Sequence, residues 1–239
     1  VPGSIIYTGN KASQHFFIEV FDYNIDQYEE KELSKIEDAF EYQNMDLVTW
    51  INVNGLNHVA EIEKIGKFFD IHPLALEDVV NVAQRPKIDE YQDYIFVVLK
   101  MLRYDDNANI IFEQVSFVMG EQYVITFQEA EGDVFNTVRD RIRNAKGRIR
   151  GMKSDYLLYC LMDAVVDQYF VIIETLGDKI ENLESELFSG KANQTISQEI
   201  PVIITILFVN FLIINYMCIC LNNSNKIFMP NSDFPIYNG

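Results

Sequence analysis

Apolar positions over the first half of the chain follow two alternating spacings, and each spacing predicts a different element. Residues 16–23 (FFIEVFDY) and 47–53 (LVTWINV) are short runs rich in β-branched and aromatic side chains, which predict strands. After the second run, apolar residues recur every three or four positions, which predicts a helix with Asn57 as its N-cap. The apolar face of this helix consists of Val59, Ile62, Ile65 and Phe69.

Three further apolar runs, at residues 94–104, 113–119 and 123–128, predict a meander of strands. The clusters DDNAN and GEQ separate these runs and are typical of turns. A helix over about residues 133–144 follows. The alternation of strands with helices predicts an α/β domain over residues 1–150, built as a mixed sheet with helices on its faces.

Beyond Ser154 the pattern changes to a single long helical repeat. Apolar residues recur at alternating spacings of three and four, which predicts a long helix of coiled-coil type within residues 151–200. Because such a stripe cannot be buried by one helix alone, we expect it to pack against another helix of this chain or of a neighbour. The stripe consists of Leu158, Leu161, Val165, Tyr169, Ile172, Leu176, Ile180, Leu183 and Leu187.

The tail over residues 201–239 has a different composition. Residues 201–221 (PVIITILFVNFLIINYMCICL) carry no charge, and their number is sufficient to cross a bilayer as a helix. Residues 222–239 are rich in asparagine and have no heptad pattern. Two interpretations stay open at this point: a membrane-spanning segment, and an aberrant C-terminus that results from a shifted reading frame.

The net charge of −17 restricts the partners of the chain. Nucleic acids and anionic membrane surfaces both require clustered lysine and arginine, so we predict no nucleic-acid partner. An acidic surface suits divalent cations, and it also serves solubility alone. The sign of the charge reverses near Ser154, because residues 139–153 contain seven bases and one acid whereas residues 155–188 contain eight acids and one base.

Residues 72–87 (HPLALEDVVNVAQRPK) contain the candidate chemistry. They predict a short helix that begins at His72 and Pro73, with His72 as a helix-entry residue rather than a metal ligand. Neighbouring acids, Glu77 and Asp78, lie among its apolar residues. Mg²⁺ in proteins often contacts only one or two carboxylates and keeps several waters, so this pair suffices for a weak Mg²⁺ site; solvated helix acids are the alternative. The sequence contains no P-loop, dinucleotide-binding, zinc-protease or paired-cysteine motif, and we predict no enzyme activity.

Five segments in fixed order carry a resemblance to a known family. Together they closely resemble the cytoplasmic domain of the CorA family of magnesium and cobalt transport proteins, over about residues 3–199. The segments are TWINVNG (49–55), FFDIHPLALEDVVNVAQRPK (68–87), YIFVVLKML (94–102), FQEAEGDVFNTVRDRIR (127–143) and DYLLYCLMDAVVDQYF (155–170).

The resemblance implies an α/β/α sandwich followed by long helices, five copies assembled as a homopentamer, and a cell-membrane protein whose residues 1–200 are cytoplasmic. It implies that Asp78 binds a regulatory divalent ion, Mg²⁺ or Co²⁺, between subunits. It assigns Glu77 and Asp163 to a second nearby ion site. Bound Mg²⁺ is expected to favour the closed state of the transporter by screening opposed carboxylates, and the membrane is expected to hold the C-terminal region.

The pore-region motif Gly-Met-Asn of the family occurs nowhere in the sequence, and the stalk acid that faces Asp78 in the family has no counterpart. We therefore expect this chain not to conduct ions as written. Three alternatives stay open: a zinc-transporting relative of the same fold, a soluble Mg²⁺-dependent hydrolase that uses Glu77, Asp78 and Asp163, and a scaffold without a metal.

Overall fold

The computed structural model describes residues 5–10, 13, 15–42, 46–104, 110–129 and 132–188, with side chains to residue 181. The strands are β1 (Phe17–Tyr23), β2 (Tyr28–Leu33), β3 (Val48–Asn54), β4 (Lys87–Glu90), β5 (Ile95–Tyr104), β6 (Ile110–Met119) and β7 (Tyr123–Gln128). The α-helices are α1 (Ile36–Ala39), α2 (Val59–Phe68), α3 (Pro73–Val80), α4 (Asn136–Arg143) and α5 (Ser154–Phe188).

The strands form one seven-stranded sheet in the order β2-β1-β3-β7-β6-β5-β4. The pairing of β3 with β7 is parallel, and the other neighbouring pairs are antiparallel. The predicted mixed sheet is therefore confirmed. The predicted meander is also confirmed, because β5, β6 and β7 pair in sequence order.

Helices cover both faces of the sheet, which confirms the α/β/α sandwich. Successive strand residues point to opposite faces, so Trp50 and Ile51 belong to two separate hydrophobic cores. Helices α1, α2 and α3 bury their apolar sides with Ile51 on one face, called here the α3 face. Helices α4 and α5 bury theirs with Trp50 on the other, called the α5 face.

Helix α5 packs mainly on the sheet and to a smaller extent on α4, whereas a second helix was expected as the partner of its stripe. Leu158, Leu161 and Val165 are fully buried in the same core as Val97 of β5 and Phe117 of β6. A sheet offers a flat apolar surface, so it buries most of the described stripe, and α4 adds Val138 and Ile142 to the same core. Tyr169, Ile172 and Leu176 continue the buried stripe, whereas Leu183 and Leu187 lie outside the described side chains.

Two polar contacts fix α5 to the sheet. The Ser154 Oγ, at the first residue of the helix, lies 2.8 Å from the carbonyl oxygens of both Gly120 and Glu121 in the β6–β7 turn. Further along, the buried Tyr169 hydroxyl donates a hydrogen bond to the carbonyl oxygen of Lys100 in β5. Within the described residues, Ser154–Glu181 also meets the length and hydropathy of a membrane span, but half of the most apolar window is buried in this fold.

Several local predictions need correction. Asn57 does not cap α2: its side chain hydrogen-bonds the backbone of Ser13, at 3.1 Å in both directions, and His58 precedes the helix without a side-chain cap. Helix α4 begins three residues later than predicted. The charged strand β2, the short α1 and β4 were not predicted. The DDNAN turn and the tail over 201–239 lie outside the described residues.

Candidate metal-binding site

Helix α3 carries the two candidate acids outside its buried apolar side. His72 caps the helix by accepting a hydrogen bond at Nδ1 from the backbone N–H of Leu74 (3.2 Å), which confirms its predicted role at the helix start. Pro73 occupies the first turn, where the missing N–H costs nothing. Glu77 and Asp78 are half-buried. The residues that bury α3 against the sheet are Ala75, Leu76, Val79 and Val80.

Both carboxylate oxygens of Asp78 have donors in the same chain. Gln84 Nε2 donates to Oδ1 at 2.5 Å, and Lys87 Nζ lies 2.5 Å from Oδ2. The backbone carbonyl of Asp78 accepts from Gln114 Nε2 of β6 at 2.9 Å, which fixes this end of α3 to the sheet. These contacts hold the carboxylate in place. The side chain is 17% exposed, so the carboxylate still reaches solvent.

Lys87 links Asp78 to a second acid. Its Nζ is 2.6 Å from Asp89 Oδ2, and it lies over the ring of Phe96, 5.5 Å from the centroid. Burial alone would lower the pKa of Lys87, but the hydrogen bonds to the two carboxylates outweigh it and leave the pKa above its usual value. Lys87 therefore remains a cation next to Asp78.

Asp163 lies on a different part of the molecule. It is exposed on α5, and partial burial together with the charge of Asp167 raises its pKa, with Arg141 opposing the shift. Since α3 and α5 pack on opposite faces of the sheet, Asp78 and Asp163 of one chain are not brought together. An ion that contacts both must be shared between two copies.

The described residues supply hard oxygen ligands but not a complete metal site. They contain no group of three or more His, Cys, Asp or Glu side chains that could hold a metal ion. One carboxylate with waters is chemically sufficient for weak Mg²⁺ binding, so Asp78 fits Mg²⁺ as a single ligand. Among the described residues, further ligands to such an ion could come from a second copy.

A second polar arrangement, on the α5 face, was missed by the sequence analysis. Arg139 of α4 forms a bidentate ion pair with Asp133 at 2.7 Å for each bond, and its Nη2 lies 2.5 Å from Glu19 Oε2. Asn52 Nδ2 donates to the same Glu19 oxygen at 2.7 Å. We call these four residues the buried polar cluster. Burial would raise the pKa of Asp133, but hydrogen bonds from Arg139 and its charge hold the pKa below the usual value.

Comparison with known proteins places this fold in a functional context. The family model described as CorA-like Mg²⁺ transporter protein matches residues 46–202. The chain is 42% identical over 198 residues to the cobalt/magnesium transport protein CorA of Thermotoga maritima, which covers 82% of this chain and 56% of that protein. It is 32% identical over 135 residues to the putative metal ion transporter YfjQ of Bacillus subtilis, covering 56% of this chain and 41% of that protein.

Solved structures agree on the fold. The complete structure of the CorA magnesium transporter from Methanocaldococcus jannaschii matches with a TM-score of 0.65 at 16% identity, over 90% of this chain and 65% of that one. The ZntB cytoplasmic domain from Vibrio parahaemolyticus matches with a TM-score of 0.58 at 11% identity, over 82% and 74%. The chain spans about half the length of the curated relatives it matches.

Proposed function

The chain belongs to the CorA-like Mg²⁺ transporter family, and on that premise we propose that it forms the metal-sensing part of a CorA-type magnesium and cobalt transporter. In this proposal residues 1–200 are cytoplasmic, and the C-terminal region is held in the cell membrane. The divalent ion acts twice, as transported substrate and as regulator.

We propose that Mg²⁺ binds between neighbouring copies of a homopentamer. Asp78 is the first ligand, and Glu77 with Asp163 of an adjoining copy forms the second site. One observation supports this arrangement most directly: the helices that carry Glu77 and Asp163 pack on opposite faces of the sheet, so one chain is not expected to use both acids on one ion. Bound Mg²⁺ then joins copies and favours the closed state, and loss of Mg²⁺ leaves facing carboxylates that repel one another.

The energy required of each ion is small. Moving a two-state equilibrium from 1:99 to 99:1 takes about 5.5 kcal/mol, so five equivalent interface ions would each supply about 1.1 kcal/mol. That corresponds to roughly a sixfold difference in Mg²⁺ affinity between closed and open states. A weak site with one or two carboxylates and several waters can supply such a difference.

Thermal unfolding of the full chain in detergent tests the proposal. An ion at a concentration 100 times its Kd stabilises the folded protein by about 2.7 kcal/mol. For a chain of this size we expect saturating MgCl₂ to raise Tm by roughly 5–10 °C. Asp78→Asn keeps the shape of the side chain and removes its charge, so the shift should largely disappear. Glu32→Ala removes an exposed acid of β2 and is the matched control.

The same samples separate the alternatives. A Tm response to Zn²⁺ without one to Mg²⁺ would favour the zinc-transporting relative. Mg²⁺-dependent turnover of a phosphate ester that is lost in Asp78→Asn would favour the hydrolase. Equal Tm values with Mg²⁺ and with EDTA, in both the wild type and Asp78→Asn, would leave the scaffold as the remaining interpretation.

A further inference from the structure

We propose that Lys87 is an internal counter-cation that competes with Mg²⁺ for Asp78 and thereby sets the Mg²⁺ concentration at which the site fills. This inference rests on the proposed function, because it takes Asp78 as the ion ligand. It assigns a role to a lysine that is not itself a metal ligand.

The geometry makes Lys87 and a metal ion competitors for one oxygen. The Lys87 ammonium lies 2.5 Å from Asp78 Oδ2, which is the oxygen left after Gln84 has donated to Oδ1. A dication at Oδ2 would meet a positive charge at close range, so Lys87 must withdraw for the ion to bind well. Gln84 can keep its hydrogen bond to Oδ1 and hold the carboxylate in the same orientation.

Asp89 provides the position to which Lys87 withdraws. Its Oδ2 already lies 2.6 Å from Lys87 Nζ, so the ammonium keeps a partner after it leaves Asp78. The lysine stem is flexible, and the side chain is 27% exposed, so the motion needs no change in the backbone. Lys87 is the first residue of β4, and its pairing with Val98 fixes the point from which the side chain turns.

The consequence is a reduced apparent affinity. When only a fraction of the molecules present a free ligand oxygen, the apparent Kd rises by the inverse of that fraction. The lysine also prevents Asp78 from remaining an isolated, half-buried negative charge when Mg²⁺ is scarce. One residue therefore tunes the ion response and stabilises the ion-free chain.

The test compares five variants of the full chain, among them Asp78→Asn and the double variant Asp78→Asn/Lys87→Met, by isothermal titration with MgCl₂ and by Tm in EDTA. Lys87→Met keeps an unbranched side chain over Phe96 but removes the charge. Lys87→Arg keeps the charge. Lys64→Met is the matched control, because it makes the same change in net charge at an exposed ion pair with Glu37 and Glu61, on α1 and α2.

We expect Lys87→Met to bind Mg²⁺ roughly tenfold more tightly than the wild type, since a charge-assisted hydrogen bond no longer has to be given up. Its Tm in EDTA should fall below that of the wild type, and the gap should close as MgCl₂ is added. Lys87→Arg and Lys64→Met should bind Mg²⁺ within about threefold of the wild type, because neither frees Asp78.

The outcomes separate this inference from the proposed function. If Asp78→Asn abolishes Mg²⁺ binding and Lys87→Met leaves it unchanged or weaker, the proposed site stands and the competition is refuted. If the wild type shows no Mg²⁺ binding, the competition requires that Lys87→Met gain it and that Asp78→Asn/Lys87→Met lack it. Absence of binding in both the wild type and Lys87→Met overturns the two proposals together.

Discussion

Replacing Arg139 by methionine removes the positive charge from the centre of the buried polar cluster. The Arg139 side chain is 6% exposed and that of Asp133 is 7% exposed, so neither charge has much access to water. Methionine fills a similar volume and can remain near Trp50, over whose ring the guanidinium lies at 5.2 Å. The substitution therefore tests the ion pair rather than packing.

The expected cost follows from what Asp133 and Glu19 retain. Breaking a buried ion pair by removing one partner costs about 3–5 kcal/mol, because a charge is left uncompensated. Asp133 keeps the backbone N–H of Phe135 at 2.9 Å, and Glu19 keeps Asn52 and is one quarter exposed. These contacts favour the lower end, so we expect Arg139→Met to lower the free energy of unfolding by about 3 kcal/mol.

Arg143→Met is the matched control, one turn further along α4. Its partners are Glu30 of β2 and, within α4, the exposed Asp140. The side chains of Arg143 and Glu30 are about one third exposed. An exposed pair of this kind contributes at most about 1 kcal/mol. The assay is urea unfolding of both variants at pH 7, with the slope m compared to verify that the same surface is exposed on unfolding.

The pH dependence of the free energy of unfolding tests the Arg139–Asp133 ion pair independently. Arg139 holds the pKa of Asp133 below its usual value, so the stability that this pair contributes is present at pH 7 and is lost as pH falls below about 4. In Arg139→Met only the hydrogen bonds from Phe135 and Gln128 still oppose the effect of burial, so the pKa of Asp133 rises and protonation relieves the buried charge. The stability gap between the wild type and the variant should therefore narrow from pH 7 to about pH 4. Equal costs for Arg139→Met and Arg143→Met, or a gap that widens in acid, would refute the reasoning.

Two further predictions concern packing and use the same urea assay. Leu161→Ala empties a fully buried position between α5 and the sheet and should lower the free energy of unfolding by about 2–5 kcal/mol. Phe170→Ala truncates a side chain that is 53% exposed and should lower it by less than about 1 kcal/mol. Similar losses in the two variants would contradict the described placement of α5. A Cβ at Gly66 would lie 2.1 Å from Leu76 Cδ1, so Gly66→Ala should destabilise the protein by about 1–2 kcal/mol. A Cβ at Gly177 would have no atom within 4 Å, so Gly177→Ala should stabilise the protein by up to about 1 kcal/mol. The two glycine variants must differ in sign for the packing of α2 on α3 to stand.

The parts of the fold that could be predicted are those in which burial fixes the spacing of apolar residues along the chain. The continuous apolar run through Trp50 and Ile51 marks a strand with both faces covered, and the three-four spacing around Leu161 marks a helix with one covered side. That the sheet is the main partner of α5 was not predicted, because an apolar stripe indicates that it is covered but not what covers it. Strand β2 (YEEKEL) was missed because an edge strand can be held by backbone pairing with β1 while its side chains stay in solvent.

The candidate site was less predictable for a different reason. Glu77 and Asp78 stand out in the sequence as neighbouring acids in an apolar helix, but the contact of Asp78 with Lys87 depends on how the chain turns between α3 and β4. The buried polar cluster joins Glu19 to Arg139 across 120 residues. The local sequence around each of these charged residues does not indicate such a pairing, since each one resembles an ordinary solvated charge.

The two tethers of α5 have a mechanical consequence. Ser154 contacts backbone carbonyl groups of the β6–β7 turn, and Tyr169 contacts one of β5. The two residues are about 22 Å apart along the helix axis. A helix held at two such points cannot rotate about its own axis without breaking one of the two contacts. A displacement of the sheet is therefore transmitted to the C-terminal end of α5 as a tilt or a shift. The contacts of Ser154 and Tyr169 set the direction of that movement.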